Sequence, residues 1–191
     1  MRLHLALVCV ALLLPACGSA PKERYYTLTA AASTPGAPGS ASAPSIAVGP
    51  VSLPEMIDQP QLVVQAGANQ VAIYEFHRWA SPLKSEIARV IAANLAQELG
   101  AVRVWSYAQT TLANPDYQVL IDVQRFDSAL GEAVAIDVLW TIRRAAGGAP
   151  KTARSSVREP AGGAGLDALV AAHSRALARI SQEIAGAIRA P

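Results

Sequence analysis

Disulfide chemistry is almost absent from this chain. Among 191 residues there are two cysteines, Cys9 and Cys17. Cys9 lies in an N-terminal leader, so removal of that leader leaves one thiol and no internal disulfide. Stability must come from a buried core. Charge is also scarce: 16% of residues are charged and the net charge is +2, with arginines scattered or in local pairs such as Arg143–Arg144. That is too weak a bias for a nucleic-acid surface. The apolar run from Leu5 to Leu14 covers about ten residues, half of what a membrane-crossing helix needs.

Catalytic vocabulary is thin as well. Beyond the leader the histidines are His77 and His173. No Gly-x-Ser-x-Gly occurs, and no His/Cys/Asp/Glu group stands at the spacing of a metal site, which needs at least three convergent ligands. The "GGAG" at 162–165 lacks the Lys-Ser/Thr of a P-loop and does not follow a strand that opens a dinucleotide site. No catalytic, metal-binding or cofactor-binding residues are expected. What is present is apolar substance: 52% hydrophobic residues, enough for a folded domain, and a length that suggests one domain with appendages.

The chain opens "MRLHLALVCVALLLPAC". Arg2 gives a short basic start, the apolar run follows, and Gly18, Ser19, Pro21, Lys22 and Glu23 end it. This is the layout of a secretory signal. "LPAC", Leu14 to Cys17, resembles the lipobox of bacterial lipoproteins, with Pro15 where Ala, Ser or Thr is usual. The resemblance implies cleavage between Ala16 and Cys17, a diacylglycerol on the Cys17 thiol and acylation of the new amino terminus. Two or more acyl chains anchor a protein stably. Gly18, in place of the Asp that retains such proteins at the inner membrane, points to the outer membrane, with the domain in the periplasm. The expected organisation is a signal peptide over 1–16, a lipidated tether over 17–24 and one domain over 25–191. From Cys17 the tether "GSAPKER" reaches at most about 25 Å.

"YYTL", Tyr25 to Leu28, reads as a first strand. The small, Pro/Gly/Ser-rich stretch from Thr29 to Pro44 reads as a flexible loop. Ile46, Val48 and Val51 suggest a strand bent and stopped by Pro50 and Pro54. Residues 61–65 and 70–76 form a hairpin around Gly-Ala-Asn. "SPLKSEIARVIAANLAQELG" is a helix with Ser81 as N-cap, Pro82 at its first position and Gly100 just beyond its end. Its apolar stripe is Leu83, Ile87, Val90, Ile91, Leu95 and Leu99. Strands follow at "VRVWSY", "YQVLIDVQRF", "AVAIDVLWTIRR" and "KTARSSV". In the second, Tyr117, Val119, Ile121 and Val123 share one face, as antiparallel strands over a core do. A helix from about Leu166 to Arg189 closes the chain, with His173 on its apolar face. The fold class is α+β: a mixed, largely antiparallel sheet with two main helices on one face.

The densest functional-looking stretch is "IYEFHRW". Strict alternation places Glu75, His77 and Trp79 on one side and Tyr74, Phe76 and Arg78 on the other. A Glu–His pair can orient a general base, but no nucleophile or metal accompanies it. The segment is read as architecture, with Trp79 packing where the helix begins. His173 is read as a hydrogen-bonded core residue.

"YYTL" after a lipobox, "VGPVSLPEMIDQPQLVVQ" and "IYEFHRWASPLKSEIARVIAANLAQELG", in this order, resemble the ABC-type transport auxiliary lipoproteins, the PqiC/YmbA-like group. Gln59 stands where that group would have Arg. The resemblance implies a non-enzymatic partner of MCE-domain proteins, which bridge the periplasm, working with an inner-membrane permease and ATPase in lipid transport and envelope integrity. Docking or orienting the MCE assembly, alone or as a homo-oligomer, is the expected role. A structural lipoprotein of another envelope machine and a direct lipid carrier are the alternatives.

Overall fold

Alternating β-branched and polar residues build eight strands, and all join one mixed sheet. The computed structural model describes residues 21–32, 43–101, 103–106 and 114–190; Ala16 and Cys17 lie outside them. In chain order the elements are β1 (Arg24–Tyr26), β2 (Ile46–Ser52), a 3-10 turn (Glu55–Ile57), β3 (Gln61–Gly67), β4 (Gln70–Trp79), α1 (Leu83–Leu99), β5 (Val104–Ser106), β6 (Tyr117–Ala129), β7 (Ala133–Arg144), β8 (Lys151–Pro160) and α2 (Leu166–Arg189). The long ladders β3–β4, β6–β7 and β7–β8 are antiparallel. Shorter parallel ladders join β1 to β4 and β2 to β5 and β6. The expected α+β class is the observed one.

β6 organises the sheet. One edge carries β7 along its whole length. The other edge carries β2 over Tyr117–Asp122 and then meets β3 at Ala129. On that side the sheet divides into two arms, β2–β5 and β3–β4–β1. At the far edge β8 pairs with β7. α1 lies over β2 and β5, and α2 over β7 and β8, with the helices in contact.

The helical stripes are buried as their spacing dictates: Leu83, Ile87, Val90, Ile91 and Leu95 on α1, and Leu166, Leu169, Val170, Leu177, Ile180, Ile184 and Ile188 on α2. They meet Val119, Ile121, Val134, Ile136 and Val138 from the sheet. Glu159, buried on β8, ties that strand to α2 through Arg175 and Arg179, each 3.1 Å away. No helix among the described residues is long and apolar enough to cross a membrane.

Local details depart from simple periodicity. The N-cap position of α1 is Pro82, not Ser81, and no side chain caps it. At its other end Gly100 takes φ 57°, which glycine tolerates without a Cβ penalty, and Ala101 N–H closes on Ala96 O at 3.1 Å. β2 continues through Pro50 to Ser52, with its register on β6 shifting between Val48 and Val51. In β6 the register shifts between Val123 and Arg125. The inward set therefore changes from Val119, Ile121 and Val123 to Phe126 and Ser128.

Candidate functional site

β4 positions the residues that most resemble chemistry. Its register against β3 jumps from Leu62↔Tyr74 to Gln61↔Arg78. The irregularity breaks the strict alternation expected across Glu75–Trp79. Tyr74, Trp79 and part of His77 turn toward the protein, while Glu75 and Phe76 are exposed. Glu75 and His77 do not form a pair. The Glu75 carboxylate accepts a bond from Gln61 Nε2 at 3.2 Å. His77 Nδ1 meets the Tyr26 hydroxyl at 2.7 Å, and its ring stacks on Tyr26 and touches Tyr74 edge-on, both at 5.7 Å. Arg78 pairs with Glu23 at 3.4 Å. The imidazole therefore stitches β1 to β4.

Trp79 is buried and stands edge-on to Phe126 at 6.3 Å and to His173 at 6.4 Å. His173 lies flat on Phe126 with centroids 4.0 Å apart, and Ser128 Oγ is 2.8 Å from its Nε2. A serine hydroxyl beside an imidazole is the beginning of a nucleophile–base dyad. Two observations deny it that role here. No carboxylate orients Nδ1, which has no hydrogen-bond partner, and the cavity beside the pair is about 10 Å³, room for about one water and no substrate. Burial also pushes the His173 pKa down to about 3, because a charged imidazole inside the core would be unsolvated. The ring is neutral, and it is the hydrogen-bonded core residue read from its place on the apolar stripe. Among the described residues no group of three His, Cys, Asp or Glu stands close enough to hold a metal.

One polar cluster was not anticipated. Glu86 on α1 is buried, and its Oε2 accepts from Thr27 Oγ1 at 2.7 Å, Leu28 N–H at 3.0 Å and Arg89 Nη2 at 2.7 Å. Burial works to raise its pKa, but the bonds from Arg89 and Thr27, the Arg89 charge and the Leu28 amide outweigh it and hold the carboxyl below its ordinary value. Further along, Thr29 N–H donates to Ser174 Oγ at 3.1 Å and Ala31 N–H to Asn94 Oδ1 at 2.9 Å. The start of the stretch expected as a flexible loop is thus clamped between α1 and α2. The signal was available: Glu86 and Asn94 both fall on the apolar stripe of α1, where polar residues need partners.

Two open grooves lie at the end of the sheet where β4 passes into α1. One, about 390 Å³, is bordered by β2 and α1, with Lys84, Glu86 and Arg89 among its walls. The other, about 270 Å³, runs past Asp58, Gln59 and Trp79. Lys84 and Asp58 form an ion pair of 2.5 Å at this end. Gln59, the departure noted above, donates to Met56 O at 2.7 Å and closes the 3-10 turn. Cys17 and Ala16, the expected lipidation and cleavage residues, lie outside the described residues.

The sequence model of the ABC-type transport auxiliary lipoprotein component family matches residues 26–185. A crystal structure of an uncharacterized protein superposes with a TM-score of 0.71 at 22% identity, covering 88% of this chain and 99% of that one. A Xanthomonas campestris protein of the family DUF330 superposes with a TM-score of 0.68 at 20% identity, covering 86% and 94%. At those identities the two structures establish the shared fold. No curated protein matches this chain.

Proposed function

Since this chain belongs to the ABC-type transport auxiliary lipoprotein component family, we propose that it docks or orients the periplasmic MCE-domain assembly of a lipid transport system. It is an auxiliary lipoprotein component of an ABC-type transport system. The finer reading is a non-enzymatic subunit, lipidated on Cys17 after cleavage at Ala16, held in the outer membrane and facing the periplasm. The permease and ATPase are separate chains.

The observation that carries this reading is the way the anchor side is built into the fold. β1 is a strand of the sheet, Tyr26 and Leu28 are buried, and Glu86, Ser174 and Asn94 clamp residues 27–31. A pull on the lipidated end therefore reaches the core directly, as suits a part that holds another in place. Tethering also raises effective concentration, so individually weak contacts suffice. The lipid-carrier reading has less support: both helical stripes are spent on the sheet, the cavity beside His173 is about 10 Å³, and the two larger grooves are open to solvent with Lys84, Glu86, Arg89 and Asp58 on their walls.

Pull-down of the lipidated protein from crosslinked envelopes, read by mass spectrometry, tests the docking role. An MCE-domain protein is the expected catch. Its absence, together with stoichiometric phospholipid retained on the purified domain, would replace docking with lipid carriage. Palmitate labelling of Cys17→Ser tests the anchor: label and membrane retention should both be lost.

A further inference from the structure

Exposed aliphatic side chains gather at one end of the sheet, and the N-terminal segment enters from the same direction. β1 runs parallel to β4 with Arg24 opposite His77. The β4 residues before His77 therefore continue past the start of β1. There β3 and β4 project as a hairpin from the Leu62–Tyr74 pair to the Gly67–Gln70 pair, about 17 Å over five strand steps. Beside the tip, Gln65 pairs with Ala129, which brings up the β6–β7 turn at Leu130. Val71, Ile73 and Leu130 are 41%, 47% and 39% exposed. Single exposed aliphatics are ordinary. Three on neighbouring tips form a surface that asks for a partner.

We propose that this end, the hairpin tip with the β6–β7 turn, seats on the bilayer surface that carries the Cys17 lipid. The inference rests on the lipidation of Cys17 set out above. Chain length identifies the occupant. From Cys17 to Arg24 is seven residue steps, a reach of at most about 25 Å, and from His77, level with Arg24, to Gln70 at the tip is seven steps of β4, about 23 Å. The anchor thus keeps the tip within a few residues' length of the headgroups. Charge is consistent: Arg125 is paired with Asp127, which also accepts from Gln65 at 3.1 Å, and Glu132 is exposed. With no cationic surplus at the tip itself, the tip contact runs on apolar burial in the interfacial layer; the exposed Lys22 and Arg24 belong to the tether and not to the tip. The acyl chains hold the protein; the tip contact sets its tilt. The end with the two grooves and the Lys84–Asp58 pair is then turned away from the membrane.

Lipidation leaves the mature chain with no free thiol, so single-cysteine variants label uniquely. Val71→Cys, Leu130→Cys and, as a control on the outer face of β7, Leu139→Cys are made in the full lipidated chain. Each is labelled with a nitrobenzoxadiazole dye and reconstituted into phosphatidylcholine vesicles. At 71 and 130, quenching by shallow doxyl lipid and several-fold protection from aqueous iodide relative to 139 are expected, unchanged when phosphatidylglycerol is added. Iodide quenching at 71 and 130 equal to that at 139 overturns the proposal. So does protection already present in the Cys17→Ser background without vesicles and rising with protein concentration, which would assign the surface to a second copy. The anchoring premise fails on a separate readout, an intact mass without acyl groups on Cys17.

Discussion

Two polar clusters sit within this fold and handle burial in opposite ways. Under the anchor-side segment, Glu86 is kept charged by three donors from three residues, including both a cation and a backbone amide. Against Phe126, His173 has one hydroxyl partner and an aromatic face, and is kept neutral. The difference lies in what surrounds each group. A buried charge persists only where hydrogen bonds and an opposite charge replace its water; without them the group discharges. The first cluster joins segments that must not part, and the second fills space.

The comparison is strained hardest by removing the wall of the His173 pocket. Trp79→Ala should destabilise by about 3–5 kcal/mol, the cost of a buried indole and the cavity it leaves. Denaturant unfolding reads this directly, and an unchanged midpoint would mean that Trp79 is not a core residue.

Acid distinguishes the clusters next. The folded pKa of His173 lies near 3, below its unfolded value near 6.5. Between those values the unfolded chain binds a proton that the folded chain refuses, so stability falls as pH falls through that window and is flat above it. The loss should be about 2 kcal/mol by pH 5. His173→Leu should remove this part of the slope, whatever it does to stability at pH 7. Glu86 acts with the same sign in a lower window: its stabilisation is complete above the ordinary carboxylate value and is lost as pH falls through its lowered one. Retention of the full slope between pH 6.5 and 5 in His173→Leu would break the contrast.

Glu86→Gln keeps the shape and acceptor oxygen but drops the charge. Charge-assisted bonds become neutral ones, which should cost about 1 kcal/mol, with increased amide exchange confined to Leu28–Ala31. The smallest effect is expected at the sheet edge. His77→Ala loses the bond to Tyr26 at a half-buried position, about 0.5–1 kcal/mol, and recovery of the partner in the crosslinking pull-down proposed above should be unimpaired. A folded His77→Ala protein without function would return that residue to chemistry.

Much of this was legible in the chain. Both helical stripes, the ends of α2 and the paired alternation of β6 and β7 follow from burial periodicity, which depends on little beyond the identity of each residue. The core role of His173 followed from the same stripe. The register shifts at Val123/Arg125 and after Tyr74 were not legible, because a bulge is decided by the partner strand. The missed cap of α1 is of the same kind: Ser81 has the right chemistry, but Pro82 occupies the cap position itself. The seam around Glu86 depended on contacts more than fifty residues apart in sequence, which no local pattern reports.

The edge position of β8 has a consequence for how copies of this protein meet. An unpaired strand edge is a template for another strand. Two copies of β8 zipped antiparallel about Ser156 would place Arg154 of each opposite Arg158 of the other, on the exposed face of the sheet. Like charges in direct register repel. The symmetric register centred on Ser156 is therefore disfavoured on the longest open edge of the described fold, and two copies brought together on a surface would have to meet along it in another register.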